Sequence, residues 1–130
     1  MIDYPFRLTF PSLFKETLEK HGNCNAYAFA GEKPRTYKMV SDEINALIAF
    51  LEKSGIRPQD KVAIFSTNMP NWGCVYFAIT FMGAVVVPIL PDFSNTEVGN
   101  VLDHSESKAV FVSTGLLQKI GNHKTEIIKM

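Results

Sequence analysis

The sequence has little of what would mark a nucleic-acid-binding, metal-holding or disulfide-bonded protein. Among 130 residues, 13 lysines and arginines balance 13 aspartates and glutamates, so the formal net charge is zero. Without a basic excess, no charge is available to displace counterions from a phosphate backbone, which argues against nucleic acid as a partner. Its two cysteines, Cys24 and Cys74, are too far apart for a metal knuckle and too few for a disulfide framework. They favour a reducing compartment, and we expect the cytoplasm.

The sequence also offers no clear export or membrane signal. Residues 1–7 lack the basic start and apolar core of a secretory signal. Residues 62–91 carry no charge, but Gly83 and Pro88 interrupt this run. Aromatic and aliphatic residues are mixed before Gly83, whereas a β-branched run, Val85 to Val87, follows it. We therefore expect a buried helix followed by a buried parallel strand, and no transmembrane segment.

Apolar spacing predicts alternating helices and strands. In the clearest helix, Ser41 is the predicted N-cap, Asp42 and Glu43 lie in the first turn, and Gly55 is the end. One face of that helix is formed at i, i+3, i+4 and i+7 by Ile44, Leu47, Ile48 and Leu51. Other helices are predicted to begin at Ser12, at 68–70, at Ser94 with a capping box to Glu97, and at Leu116. Strands are predicted over residues 26–30, 36–37, 61–66, 85–89, 109–113 and 125–130.

This alternation predicts an α/β fold with a mainly parallel sheet covered by helices. Parallel neighbours require crossover connections, and helices on both faces supply them. The length of 130 residues corresponds to a single domain, residues 1–130. The final strand reaches Met130 without a cap or a polar tail, so we expect an incomplete domain.

The residues alone predict no active site. No pair among the eight glycines has the spacing of a dinucleotide or P-loop cradle. Ser113, Thr114 and Gly115, with Lys119 beyond them, form either a plain strand-to-helix turn, which we favour, or a weak anion loop. His104, with Asp103 and Glu106 beside it, is predicted to lie at a solvated helix end rather than in a catalytic or metal site. A core helix is favoured over a lipid pocket for the aromatic and aliphatic side chains of Trp72, Tyr76, Phe77, Ile79 and Phe81.

Four ordered stretches resemble elements of adenylate-forming (AMP-binding) enzymes. They are residues 36–40 (TYKMV, resembling T-Y-x-E-L), 55–62 (GIRPQDKV, resembling G-V-x-x-G-D-x-V), 68–72 (NMPNW, resembling N-x-P-E-W) and 81–88 (FMGAVVVP, resembling K-A-G-A-V-x-V-P). A fifth, residues 102–108 (LDHSESK), resembles the L-x-H-S-x-A-K run of the long-chain fatty acid–CoA ligase branch. The sequence departs from these patterns at Met39, Gln59 and Asn71. The resemblance extends from about Thr9 to Ile120.

The resemblance implies part of a larger enzyme. Members of the family join a carboxylic acid to AMP using ATP and magnesium, then pass the acyl group to coenzyme A. Their phosphate loop, ribose-binding acid and catalytic lysine have no matching positions here, so no catalytic residue is expected in this chain. We therefore expect the N-terminal part of the large domain of a fatty acid–CoA ligase. By itself it should bind no cofactor and be inactive, and its partner is the remainder of the same polypeptide.

The same resemblance implies a rim for coenzyme A. In some family members, the loop after the 85–89 strand and the helix after the 109–113 strand approach this cofactor. The corresponding residues are Leu90, Pro91, Asp92 and Lys119. Other possibilities are an aryl-CoA ligase, a peptide-synthetase adenylation domain, or a free-standing non-catalytic α/β interaction module. An exposed sheet edge would also favour self-association of this chain.

Overall fold

The computed structural model describes residues 8–130, which contain four α-helices, one 3₁₀ helix and six strands. The secretory-signal prediction concerns residues 1–7 and lies outside this part. The helices are α1 (Phe10–His21), α2 (Tyr37–Lys53), α3 (Pro70–Phe81) and α4 (Asn95–Ser105), with a 3₁₀ helix at Thr114–Lys119. The strands are β1 (Asn25–Tyr27), β2 (Arg35–Thr36), β3 (Lys61–Phe65), β4 (Val85–Ile89), β5 (Ala109–Val112) and β6 (Glu126–Lys129).

The main sheet is parallel, as predicted. Its strand order is β4-β3-β5-β6, and each neighbouring pair runs in the same direction. Helix α3 connects β3 to β4, and α4 connects β4 to β5 across β3. The short strands β1 and β2 form a separate antiparallel pair. The structure therefore confirms the α/β class with helices covering a parallel sheet.

Strand β3 lies at the centre of two hydrophobic clusters, one on each face of the sheet. Val62 and Ile64 pack in the cluster that includes residues of α2 and α3. Ala63 and Phe65 pack in the opposite cluster with residues of α4. All four are completely buried. The uninterrupted apolar run is thus explained by burial on both faces, the pattern typical of central parallel strands.

Strand β4 is parallel but is not buried as predicted. Val85 is 47% exposed and Pro88 is also exposed, because no described strand lies beyond β4. Proline is tolerated at such an edge, where its missing N–H interrupts no ladder. The uncharged run is nonetheless a helix followed by a parallel strand, α3 and β4. Within residues 8–130, no helix is long and apolar enough to span a bilayer.

Two predicted helix caps, Ser41 and Ser12, lie five and three residues after the observed caps. The Oγ1 atom of Thr36 accepts the N–H of Met39 at 3.3 Å, so α2 begins at Tyr37 and Ser41 lies inside it. Asp42 and Glu43 consequently lie beyond the first turn. In α1, Thr9 is the N-cap and Ser12 is its capping-box partner. In both places the sequence offers two hydroxyl residues a few positions apart, and only the folded backbone selects the first.

The remaining element ends differ little from the predictions. The capping box between Ser94 and Glu97 is confirmed, and Gly55 follows α2 with a positive φ of 84°. Strand β1 is Asn25–Tyr27 rather than residues 26–30. The helix predicted from Leu116 is a 3₁₀ helix that begins at Thr114, and the N–H of Leu116 donates to the carbonyl of Ser113, three residues earlier, at 2.9 Å.

Truncating a side chain should cost more stability at the buried Phe65 of β3 than at the half-exposed Val85 of β4. Replacing Phe65 with alanine would leave a cavity beneath α4 and should lower the free energy of unfolding by about 3–5 kcal/mol. The matched change Val85→Ala at the sheet edge should cost less than about 1 kcal/mol, because that side chain is half exposed. Urea unfolding followed by the fluorescence of the single tryptophan, Trp72, measures both. Equal losses would contradict the edge position of β4.

Candidate functional site

The loop after β4 forms a turn at the edge of the sheet. The backbone N–H of Phe93 donates to the carbonyl of Leu90 at 3.1 Å, which closes a four-residue turn with Pro91 at its second position. Proline suits that position because its φ angle is already the one a turn requires. Leu90 is 63% exposed and Asp92 is exposed. Ser94 then begins α4 directly after the turn.

Lys119 connects the 3₁₀ helix to this turn. Its Nζ atom donates to the carbonyl of Pro91 at 2.8 Å and to that of Phe93 at 3.1 Å. The structure therefore brings Lys119 together with the loop of Leu90, Pro91 and Asp92. The sequence separation of 26 and 28 residues between the bonded partners explains why no local pattern reveals these contacts.

A carboxylate lies near the same lysine. The N–H of Ser94 donates to Oε2 of Glu97 at 2.7 Å and is the main cause that lowers the pKa of this carboxyl. The positive charge of Lys119 contributes a smaller part of the same lowering. Lys119 thus already has two carbonyl acceptors and a nearby carboxylate, which reduces its capacity to attract a phosphate.

Lys119 has one donor left for a ligand, and the turn of Ser113 to Gly115 contains a single glycine. An ammonium has three donors, so Lys119 keeps one N–H beyond the two that the turn uses. At the turn of Ser113 to Gly115, no glycine-rich loop gathers backbone N–H groups, and the 3₁₀ helix that follows has no side-chain cap. Within residues 8–130, no group of three His, Cys, Asp or Glu side chains could share a metal ion.

The contacts of Lys119 predict a structural contribution that a substitution can measure. Lys119→Met removes two charge-assisted hydrogen bonds from partly buried carbonyls and should destabilise the chain by about 1–3 kcal/mol. The control Lys129→Met removes an exposed lysine of β6 and should have an effect below about 0.5 kcal/mol. Urea unfolding of the two variants distinguishes them. Similar, negligible losses would show that the Lys119 bonds contribute nothing to the turn.

A second polar cluster joins β1 and β2 to helices α2 and α3. Arg35 donates through Nη1 to Oε2 of Glu43 at 2.8 Å and to Oδ1 of Asn71 at 3.3 Å. The thiol of Cys74 donates to the same Glu43 oxygen at 3.2 Å, and the hydroxyl of Tyr27 lies 2.6 Å from the Cys74 sulfur. Glu43 was predicted to lie in the first turn of a helix, and this network was not predicted. Its members come from four elements, and most of their contacts join positions that are distant in the sequence, so no local pattern predicts them.

This cluster borders an open cavity of about 520 Å³. Arg35, Glu43 and Asn71 contribute its polar rim, and its apolar lining comes from α2, α3, β5 and β6. Burial is the largest cause that raises the pKa of the Cys74 thiol to about 11, and its hydrogen bond to Glu43 adds to the effect. Burial also raises the pKa of the Tyr27 hydroxyl. Both groups are therefore neutral and unreactive at neutral pH.

The two cysteines should react very differently. Cys24 is exposed and Cys74 is buried, so a thiol reagent at pH 8 should modify one thiol quickly and the second only after denaturation. Because folding raises the pKa of Cys74, the stability that its neutral form supplies is lost as the pH rises from about 9 to 11. The variant Cys74→Ala should lose less of its own stability over this range. Rapid reaction of two thiols in the native state would contradict the burial of Cys74.

Neither of the other sequence candidates forms a reactive centre. Oδ1 of Asp103 contacts Nε2 of His123 at 3.0 Å, whereas His104 is exposed, so the predicted solvated helix end is what His104 forms. Phe77 and Phe81 of α3 pack against Phe14 of α1 with ring centroids 5.7 and 5.5 Å apart. This packing supports the interpretation of the α3 aromatics as core rather than as a lipid pocket.

Comparison with known proteins assigns the family. A family model described as "AMP-binding enzyme" matches residues 14–129. The chain is 29% identical over 109 residues to the 3-[(3aS,4S,7aS)-7a-methyl-1,5-dioxo-octahydro-1H-inden-4-yl]propanoyl:CoA ligase of Rhodococcus jostii, covering 84% of this chain and 21% of that ligase. It is 28% identical over 123 residues to tyrocidine synthase 3 of Brevibacillus parabrevis, covering 95% of this chain and 2% of the synthase.

A solved structure supports the fold independently. The benzoate CoA ligase of Burkholderia xenovorans LB400 superposes with a TM-score of 0.86 at 17% identity, over 95% of this chain and 26% of the ligase. The parallel α/β layer described above is thus an architecture that also occurs in this CoA ligase. The chain belongs to the AMP-binding enzyme family, and it spans about a fifth of the length of the Rhodococcus ligase.

Proposed function

We propose that residues 1–130 form the N-terminal portion of the AMP-binding domain of a longer acid–CoA ligase. In that enzyme an acyl-adenylate would form from a fatty acid and ATP, with magnesium, and the acyl group would then pass to coenzyme A. The chain by itself contributes scaffold and no reacting group. The observation that carries the proposal is a family match along almost the whole chain by residues that build a sheet and its covering helices.

The scaffold role follows from what the matching stretches do in the fold. Residues 36–40 cap and begin α2, and residues 81–88 end α3 and form most of β4. Residues 55–62 lead into β3, where the N–H of Gln59 donates to the carbonyl of Gly83 at 2.8 Å. The family resemblance is therefore a resemblance of caps, turns and strand contacts. Such residues position neighbouring elements and need not touch a substrate.

The fatty acid is the most specific part of the proposal, and one run of residues supports it. In residues 102–108, Leu102 is a buried residue of α4, Asp103 contacts His123, and Lys108 forms an ion pair with Asp60 at 2.8 Å. These contacts close α4 and begin β5. The run thus supports fatty acid as a substrate by likeness to one branch of the family, and contributes no contact that selects an acid.

The coenzyme A rim and the cytoplasmic compartment are also part of this proposal. Leu90, Pro91, Asp92 and Lys119 would form a rim for coenzyme A, with the third N–H of Lys119 offered to a phosphate. The two free cysteines, one exposed and one buried, support a reducing compartment such as the cytoplasm. Among alternatives within the family, the Brevibacillus relative favours a peptide-synthetase adenylation domain as the second candidate.

A segment exchange tests the scaffold role. Residues 14–129 would replace the matching segment of the Rhodococcus ligase, and acyl-CoA formation would be measured with that ligase's own acid and with palmitate. We expect the chimera to keep the original preference, because the selecting contacts come from the rest of the enzyme. The 130-residue chain by itself should show no ATP–pyrophosphate exchange with either acid.

The controls separate a failed fold from a wrong assignment. The same chimera carrying Phe65→Ala should lose stability and activity together, whereas Val85→Ala should keep both. A preference shifted toward palmitate would mean that this segment selects the acid, and exchange activity in the isolated chain would mean that it holds reacting groups. Either result would overturn the scaffold proposal.

A further inference from the structure

We draw no further inference here: the strongest candidate, the open cavity of about 520 Å³ that Arg35 borders beside α2, α3, β5 and β6, carries none, because nothing in the structure shows whether a ligand or another segment of the same polypeptide covers it.

Discussion

Burial of β3 on both faces is the constraint on which the rest of this structure depends. A strand with four completely buried side chains needs one strand on each side and a layer of helices above and below. The aliphatic residues of α2 and α3 cover one face, and those of α4 cover the other. The crossovers through α3 and α4 place the turn after β4 and the 3₁₀ helix after β5 at the same end of the parallel strands, where Lys119 reaches the turn.

The position of Lys119 shows how a scaffold contact and a ligand contact compete for one side chain. Two of its donors hold the carbonyls of the turn, which orders the segment from Leu90 to Phe93 before α4 begins. An ammonium in this role is a weaker phosphate ligand than a free one, because its charge is already partly compensated by Glu97 and by carbonyl dipoles. The same reasoning applies to Arg35, whose bonds to Glu43 and Asn71 stabilise the junction of β2 with α2 and α3.

Family membership and substrate class rest on different residues in this chain. The stretches that match the family cap helices, close turns and pack between strands, so they report on the fold shared by the Rhodococcus ligase and the Brevibacillus synthase. Those two proteins bear the names of a CoA ligase and of tyrocidine synthase 3. Likeness across such a range is expected when the shared segment supports chemistry that other segments perform.

The sequence by itself determined the α/β class, the order of the elements in the main sheet's part of the chain, the capping box of Ser94 and Glu97, and the double burial of β3. These features depend on local spacing and on runs of apolar residues, which a single stretch of sequence contains. Only the tertiary structure decided which hydroxyl residue caps α2, that β4 is an exposed edge, and that Glu43, Lys119 and Asp103 have distant partners. Each of these depends on what lies beside a residue in space, and several cap candidates or charge partners are equivalent until the chain has folded.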